Sequence, residues 1–354
     1  MEQTINCEKI IIAREFNKLT QKELIEKLEE IDKKITQGEL SKIEQGLRKD
    51  ISDDLLDAIS TILDFPKDFF LTHWERQNIK GGLYRKRQSL KKKDEGFVDS
   101  SVNLFIQTFI DLSKNFEINT IKIPHFSTNE NTSPANIAKK AREFWNVAHG
   151  PIQDLTTMLE DNGIVINYLN ISEQEFDGYS CMLDNFYFIF INPDMPADRL
   201  RFTIAHELGH LVMKNENIPY PMCDEEANKF ASEFLMPEED IKLDLKNLNC
   251  EKAYFLKPKW KVSMAALIRR AYDLEVITKS RYTSLNVQMS KLGYRKNEPI
   301  AFEKEKPSLF QEIVNLYIET KNETLDDIAK RTNISKNVLL KLYKPHRNNV
   351  RAIN

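Results

Sequence analysis

Three scarcities bound what this 354-residue chain can be. Cysteine is the first. Cys7, Cys181, Cys223 and Cys250 are widely scattered, in no metal-binding spacing and no disulfide framework. Long hydrophobic runs are the second. No stretch offers the about 20 consecutive apolar residues that span a bilayer, and no signal-peptide pattern is present. The expectation is a soluble, cytoplasmic protein with no membrane partner. A charge excess is the third. Lys and Arg number 51, Asp and Glu 54, for a net charge of −3. A total this small does not exclude DNA binding, because a local footprint is what matters. Histidine is also sparse, at six residues, so a place where two fall together is informative.

Two fall together in "RLRFTIAHELGHLVM", residues 199–213. Residues four apart on a helix share one face, so His206 and His210 can reach one metal ion. Glu207 follows the first ligand. This is the mechanical content of HExxH: two imidazole ligands and a carboxylate general base. Ile204, Leu208, Leu211 and Val212 form an apolar stripe nearly opposite the histidines, leaving their face free for a cleft. Gly209 costs about 1 kcal/mol in helix propensity, tolerable where close packing leaves no room for a side chain. The competing reading is a chance pair of surface histidines. The rarity of histidine, and the strongly helical segment following "FYFIFIN", weigh against it.

A catalytic zinc site takes a third protein ligand and keeps one position open. Downstream lies "CDEEANKFASEFLMP", residues 223–237. Ala227, Phe230, Ala231 and Phe234 make a helix stripe, which Pro237 ends. Glu225 points away. Asp224 and Glu226 flank the stripe and Cys223 lies near the right face, so periodicity does not choose among them. First-turn acids favoured by the helix dipole would explain both carboxylates without a metal. Arg201 could organise the cleft or a substrate carboxylate, or hold a structural salt bridge. His149, Tyr179 and Tyr187 are candidate oxyanion donors. "YFIFIN", residues 187–192, is either an edge strand that could pair with an extended substrate or a buried one.

With "VSMAALIRRAYDLEVIT" added, these stretches resemble the ImmA/IrrE family of zinc metallopeptidases over roughly residues 135–290. The resemblance implies a gluzincin-like domain, one Zn²⁺, and Glu226 as the third ligand. It matches Arg201 to the family's arginine before the HExxH helix, and residues 262–271 to a small-residue helix behind the site. It also implies proteolysis of a regulatory protein, often a repressor.

The amino-terminal segment, "IIAREFNKLTQKELIEKLEEIDKKITQGELSKIEQGLRKD", reads as three short helices. Thr20 is the expected N-cap of the second, and Gly46 stops the third after about residues 36–45. Leu40 and Ile43 face inward. Gln37, Gly38, Ser41, Lys42 and Gln45 face outward, with the size and polarity that suit base edges and phosphates in a major groove. A helical protein–protein module would use the same stripes. The segment resembles the XRE, or lambda-repressor-like, helix-turn-helix family over about residues 6–72. "LTQKEL" and "LSKIEQG" carry the match, and "ISDDLLDAISTILDFPKDFF" completes it as fourth and fifth helices. The resemblance implies a double-stranded operator bound by a homodimer, with Gln21 on a phosphate and Gln37, Gly38, Ser41 and Lys42 as readers. The inserted "EEIDKK" lengthens the turn, and Asp32, Glu39 and Glu44 dilute the positive charge.

The expected class is α+β and mostly helical. Residues 1–75 form the DNA-binding domain and 76–134 a basic linker and helical connector. The peptidase domain with its small sheet occupies 135–295, and a helical module 305–354. "KGGLYRKRQSLKKKD", residues 80–94, holds seven basic residues in fifteen and either tracks phosphates or is a solvated linker. Residues 136–162 read as two amphipathic helices and "GIVINYL" as a strand. The tail, 309–343, reads as three helical segments for dimerisation or docking, after a linker "LGYRKNEPIAFEKEKP". Together these predict a DNA-binding regulator with an attached zinc peptidase that cleaves itself or a partner repressor. The alternatives are a non-catalytic regulator that senses or docks through that fold, and a toxin–antitoxin component acting on an antitoxin partner.

Overall fold

A computed structural model describes residues 5–72, 92–116, 118, 123–126, 132–169, 176–213 and 220–343. Most of the basic stretch 80–94 and of the polar run 126–134 lies outside the described residues. The helices, in chain order, begin with α1 (Cys7–Phe16), α2 (Gln21–Glu29), α3 (Gln37–Glu44), α4 (Asp53–Leu63), α5 (Lys67–Leu71) and α6 (Lys92–Ser113). They continue with α7 (Pro134–Phe144), α8 (Leu155–Asp161), α9 (Ala197–Val212), α10 (Tyr220–Leu235), α11 (Glu238–Ile241) and α12 (Cys250–Trp260). The last are α13 (Met264–Asp273), α14 (Lys279–Lys291), α15 (Leu309–Lys321), α16 (Leu325–Arg331) and α17 (Lys336–Leu342). The strands are β1 (Ile164–Tyr168), β2 (Gly178–Leu183) and β3 (Phe186–Ile191). Among the described residues the chain is mostly helical with one small sheet, as the sequence predicts.

Two compact units share these elements. The first holds α1–α6 together with α15–α17. Its helix starts are locally encoded. Thr20 and Thr36 each cap a helix, and Glu23 and Glu39 reach back to complete capping boxes. Ile10, Leu24, Leu28, Leu40, Ile43 and Ile59 are buried. Arg14 and Glu44 form a buried bidentate pair, with Nε–Oε1 at 2.6 Å and the second bond at 3.0 Å. Helix α6 lies on α1. A Cβ at Gly96 would come within 2.9 Å of the Glu15 carboxyl carbon, so glycine sets that close approach. The tail helices join this unit: Tyr317 donates to the Leu112 carbonyl at 2.9 Å, and Asn337 to Asp64 at 3.0 Å. An amphipathic helix needs a partner face, and here α6, from the stretch expected as a connector, and the tail helices α15–α17 share a unit with the first five helices.

The second unit is built round α9 and α10. The sheet order is β1-β3-β2, with β1 parallel and β2 antiparallel to β3. Asp184 and Asn185 turn the β2–β3 hairpin with φ of 48° and 67°, the left-handed pair a two-residue hairpin turn requires. "YFIFIN" is thus the central strand, and β2 lies at an edge of the sheet. Ile164, Ile166, Ile189 and Ile191 face a core with Ile204, Leu208, Phe230 and Phe234. A Cβ at Gly209 would lie 3.0 Å from Phe230, which is why α9 and α10 can approach so closely.

The segment read as a linker before α15 is bound along its length. Glu298 accepts from the backbone N–H groups of Met264 and Ala265, at the start of α13, and from Lys257. Glu305 accepts from the N–H groups of Leu155 and Thr156, at the start of α8, and pairs with Arg201. Two carboxylates on an extended strap thus cap two helices from outside.

Candidate metal centre

Helix α9 carries His206, Glu207 and His210, and α10 brings Asp224 against them. The Nε2 atoms of the two histidines lie 3.1 Å apart, and His206 Nε2 lies 3.2 Å from Asp224 Oδ1. One ligand atom from each of the three residues lies within 4.8 Å of the others, a group that could hold a metal ion. Bonds of about 2.0–2.1 Å in a tetrahedron place ligand atoms roughly 3.3 Å apart. The observed spacings fit that requirement, and two nitrogens with one carboxylate oxygen leave a fourth position open. Of the two carboxylates that periodicity left undecided, Asp224 joins the histidines. Glu226, which the family resemblance implies, is half-buried on the same helix and is not in that group. Cys223 is buried. Desolvation, helped by the nearby Glu226 and Asp224, raises its thiol and disfavours the thiolate a metal needs. Glu225 is exposed and paired with Lys229 at 2.8 Å.

His206 and Glu207 are fully buried and His210 half-buried, so the histidine face is less open than the periodicity suggests. Asn228 holds the far side of His206, with Nδ1 at 3.0 Å from Oδ1. Glu207 Oε2 accepts from Ser180 Oγ on β2 at 2.8 Å. Gly178, two residues earlier on the same face, would place a Cβ 3.0 Å from Glu207 Oε1. Strand β2 therefore presses on the Glu207 carboxylate with a glycine and a serine.

Arg201 is buried, and its partners are Glu305 and the Ile152 carbonyl at 2.8 Å. Of the candidate oxyanion donors, His149 is exposed beside Asp240 at 3.1 Å. Tyr187 bonds His125 at 3.1 Å. Tyr179 is buried on β2, and desolvation, with Cys181 and Glu207 adding, raises its hydroxyl far above the ordinary value.

In the first unit, Gln37, Gly38 and Lys42 are exposed on α3, and Ser41 is half-buried, accepting from Gln45 at 3.0 Å. Gln21 donates to Glu44 at 2.8 Å, joining the Arg14 pair.

Residues 159–272 match the Peptidase_M78 family, described as the IrrE N-terminal-like domain. This segment is an ImmA/IrrE-like peptidase domain. It runs from the end of α8 to within a residue of the end of α13 and contains the sheet and every member of the His/His/Asp cluster. Curated proteins yield no match to the chain.

The sequence reading missed Asn228, Ser180, Gly178 and Glu305. Asn228 was within reach, because it stands one helical turn beyond Asp224. The others act across the fold and leave no local signature.

Proposed function

We propose that this chain is a DNA-binding transcriptional regulator whose ImmA/IrrE-like domain is a zinc-dependent endopeptidase. The observation that carries the peptidase reading is the convergence of His206, His210 and Asp224 beside Glu207. The residues fit Zn²⁺ by donor type and spacing. When bound, the ion supplies Lewis-acid polarisation of a scissile carbonyl and acidifies water. The chain's residues do the rest. Glu207 accepts the proton of the attacking water and returns one to the leaving amine. Ser180 steadies its carboxylate. Edge strand β2 offers main-chain groups to an extended peptide. The helix-turn-helix reading rests on the exposed polar face of α3 and on the capped helices before it, with Lys42 for phosphate and Gln37 for bases. The cleavage target is this chain's own 76–95 stretch or a partner repressor.

A second reading has its own support. Full burial of His206 and Glu207 suits a metal-stabilised sensor that does no chemistry. One comparison separates the two. Wild type, Glu207→Gln and His206→Ala are assayed side by side for zinc content, cleavage and operator release. Glu207→Gln should keep zinc and lose cleavage by about a hundred- to ten-thousand-fold. A Glu207→Gln protein that releases its operator like wild type would defeat the protease mechanism.

A further inference from the structure

Both ring nitrogens of His206 are engaged, and by residues one turn apart on the same helix. Asp224 and Asn228 stand four positions apart on α10, so their side chains rise from one face. Asp224 Oδ1 lies 3.2 Å from His206 Nε2, and Asn228 Oδ1 lies 3.0 Å from His206 Nδ1. The imidazole is therefore gripped at both ends by α10.

We infer that Asn228 is a positioning residue that fixes His206 as the Nδ1–H tautomer and aims Nε2 at the metal. The inference rests on the zinc reading above. An amide oxygen only accepts, so it binds Nδ1 only when that nitrogen carries the proton. In a neutral ring the proton on Nδ1 leaves a lone pair on Nε2. That lone pair points at the Nε2 of His210, 3.1 Å away, and at the Asp224 carboxylate. A bound cation satisfies electron pairs gathered this closely. The ring is also held in place. His206 is fully buried on α9, and Gly209, three residues on, brings Phe230 of α10 into close contact. Asn228 lies two residues before that phenylalanine, so the packing that joins the helices also sets its reach to His206.

Metal-ligating histidines owe much of their affinity to the acceptor on the remote nitrogen, and its loss costs about 10- to 100-fold in metal binding. A neutral amide here also keeps a further negative charge away from Asp224 and Glu207. A carboxylate at 228 would preserve the bond and add attraction for the cation.

Zinc affinity of the full chain is to be measured by chelator competition for wild type, Asn228→Ala, Asn228→Leu and Asn228→Asp. The expected result is a loss of about 10- to 100-fold in the alanine and leucine variants, and wild-type or tighter binding in the aspartate variant. Leucine keeps the branched four-atom shape of asparagine without its polar atoms, so it separates the lost bond from a lost packing contact. Wild-type affinity in the alanine and leucine variants overturns the inference. So does an aspartate variant as weak as they are, because the acceptor would then not restore the site. Wild-type chain that takes up no zinc defeats the metal reading instead. A second measurement reads the tautomer without a variant: the long-range nitrogen–proton spectrum of histidine-labelled wild type with zinc bound. His206 is expected to keep its proton on Nδ1 and to hold the metal through Nε2, and a zinc-loaded ring that carries its proton on Nε2 instead overturns the assignment.

Discussion

Replacing Gly209 with alanine sets two effects of known sign against each other. Within α9 the substitution gains about 1 kcal/mol of helix propensity. The new methyl, however, would meet Phe230 at 3.0 Å from Cδ1, 3.2 Å from Cγ and 3.3 Å from Cβ. Carbon–carbon contact is comfortable from about 3.5 Å, so the ring must retreat by roughly half an ångström. It has nowhere to go. Phe230 is fully buried and stacked on Phe234 with centroids 5.5 Å apart, and Phe234 meets the edge of Trp145 at 6.0 Å. Overpacking of this kind costs about 1–3 kcal/mol, so Gly209→Ala is expected to destabilise by up to about 2 kcal/mol. If the cluster holds zinc, pushing α10 away should also weaken that binding, because Asp224 and Asn228 ride on it. Gly38→Ala is the matched control. That glycine is exposed on α3 with nothing within 4 Å of its added carbon. It should stabilise by about 0.5–1 kcal/mol. Denaturant unfolding, with hydrogen exchange to localise the change to α9 and α10, measures both. A Gly209→Ala protein stabilised like the Gly38→Ala control would show that close packing is not why position 209 lacks a side chain.

Substitutions at two further positions probe buried charge. Glu305→Ala strips Arg201 of its partner and the N-terminus of α8 of two backbone contacts, and should destabilise the second unit by about 3–5 kcal/mol; Glu305→Gln, which keeps an acceptor, should cost less, and an unchanged denaturation midpoint in the alanine variant would refute the strap's structural role. Lys9 is buried against Phe69, and desolvation lowers its ammonium from 10.5 to about 8. Below pH 8 both states are protonated and the folded state bears the burial cost. Between about 8 and 10.5 the unfolded chain holds more protons, so stability rises with pH, by at most about 3 kcal/mol. Lys9→Met should flatten that rise and stabilise the first unit at pH 7; a variant with the wild-type pH profile would contradict this.

What the sequence made legible is what rests on local pattern. Thr20 and Thr36 cap the helices whose starts they marked, and Ala227, Phe230, Ala231 and Phe234 are buried as the stripe required. His206 and His210 share a face because helical geometry requires it. The hairpin was legible too and went unread: Asp184 and Asn185, between two runs of strand-forming residues, are a two-residue turn signal. That turn makes β3 central and β2 an edge. The third ligand is a different kind of question. Asp224 and Glu226 sit on opposite flanks of one apolar stripe, so a 100° step per residue gives each a similar claim. The choice depends on how α10 is rolled against α9, and Gly209 and Phe230 set that roll across a contact 21 positions apart in the chain. The same roll delivers Asn228 to His206. Glu305 is further still from any local rule, since a glutamate in a charged stretch reads as solvated until a buried arginine and two helix N–H groups are found waiting for it. Periodicity thus supplies the face of each helix, and the α10 partners of His206, the serine on Glu207 and the strap are supplied by packing between elements.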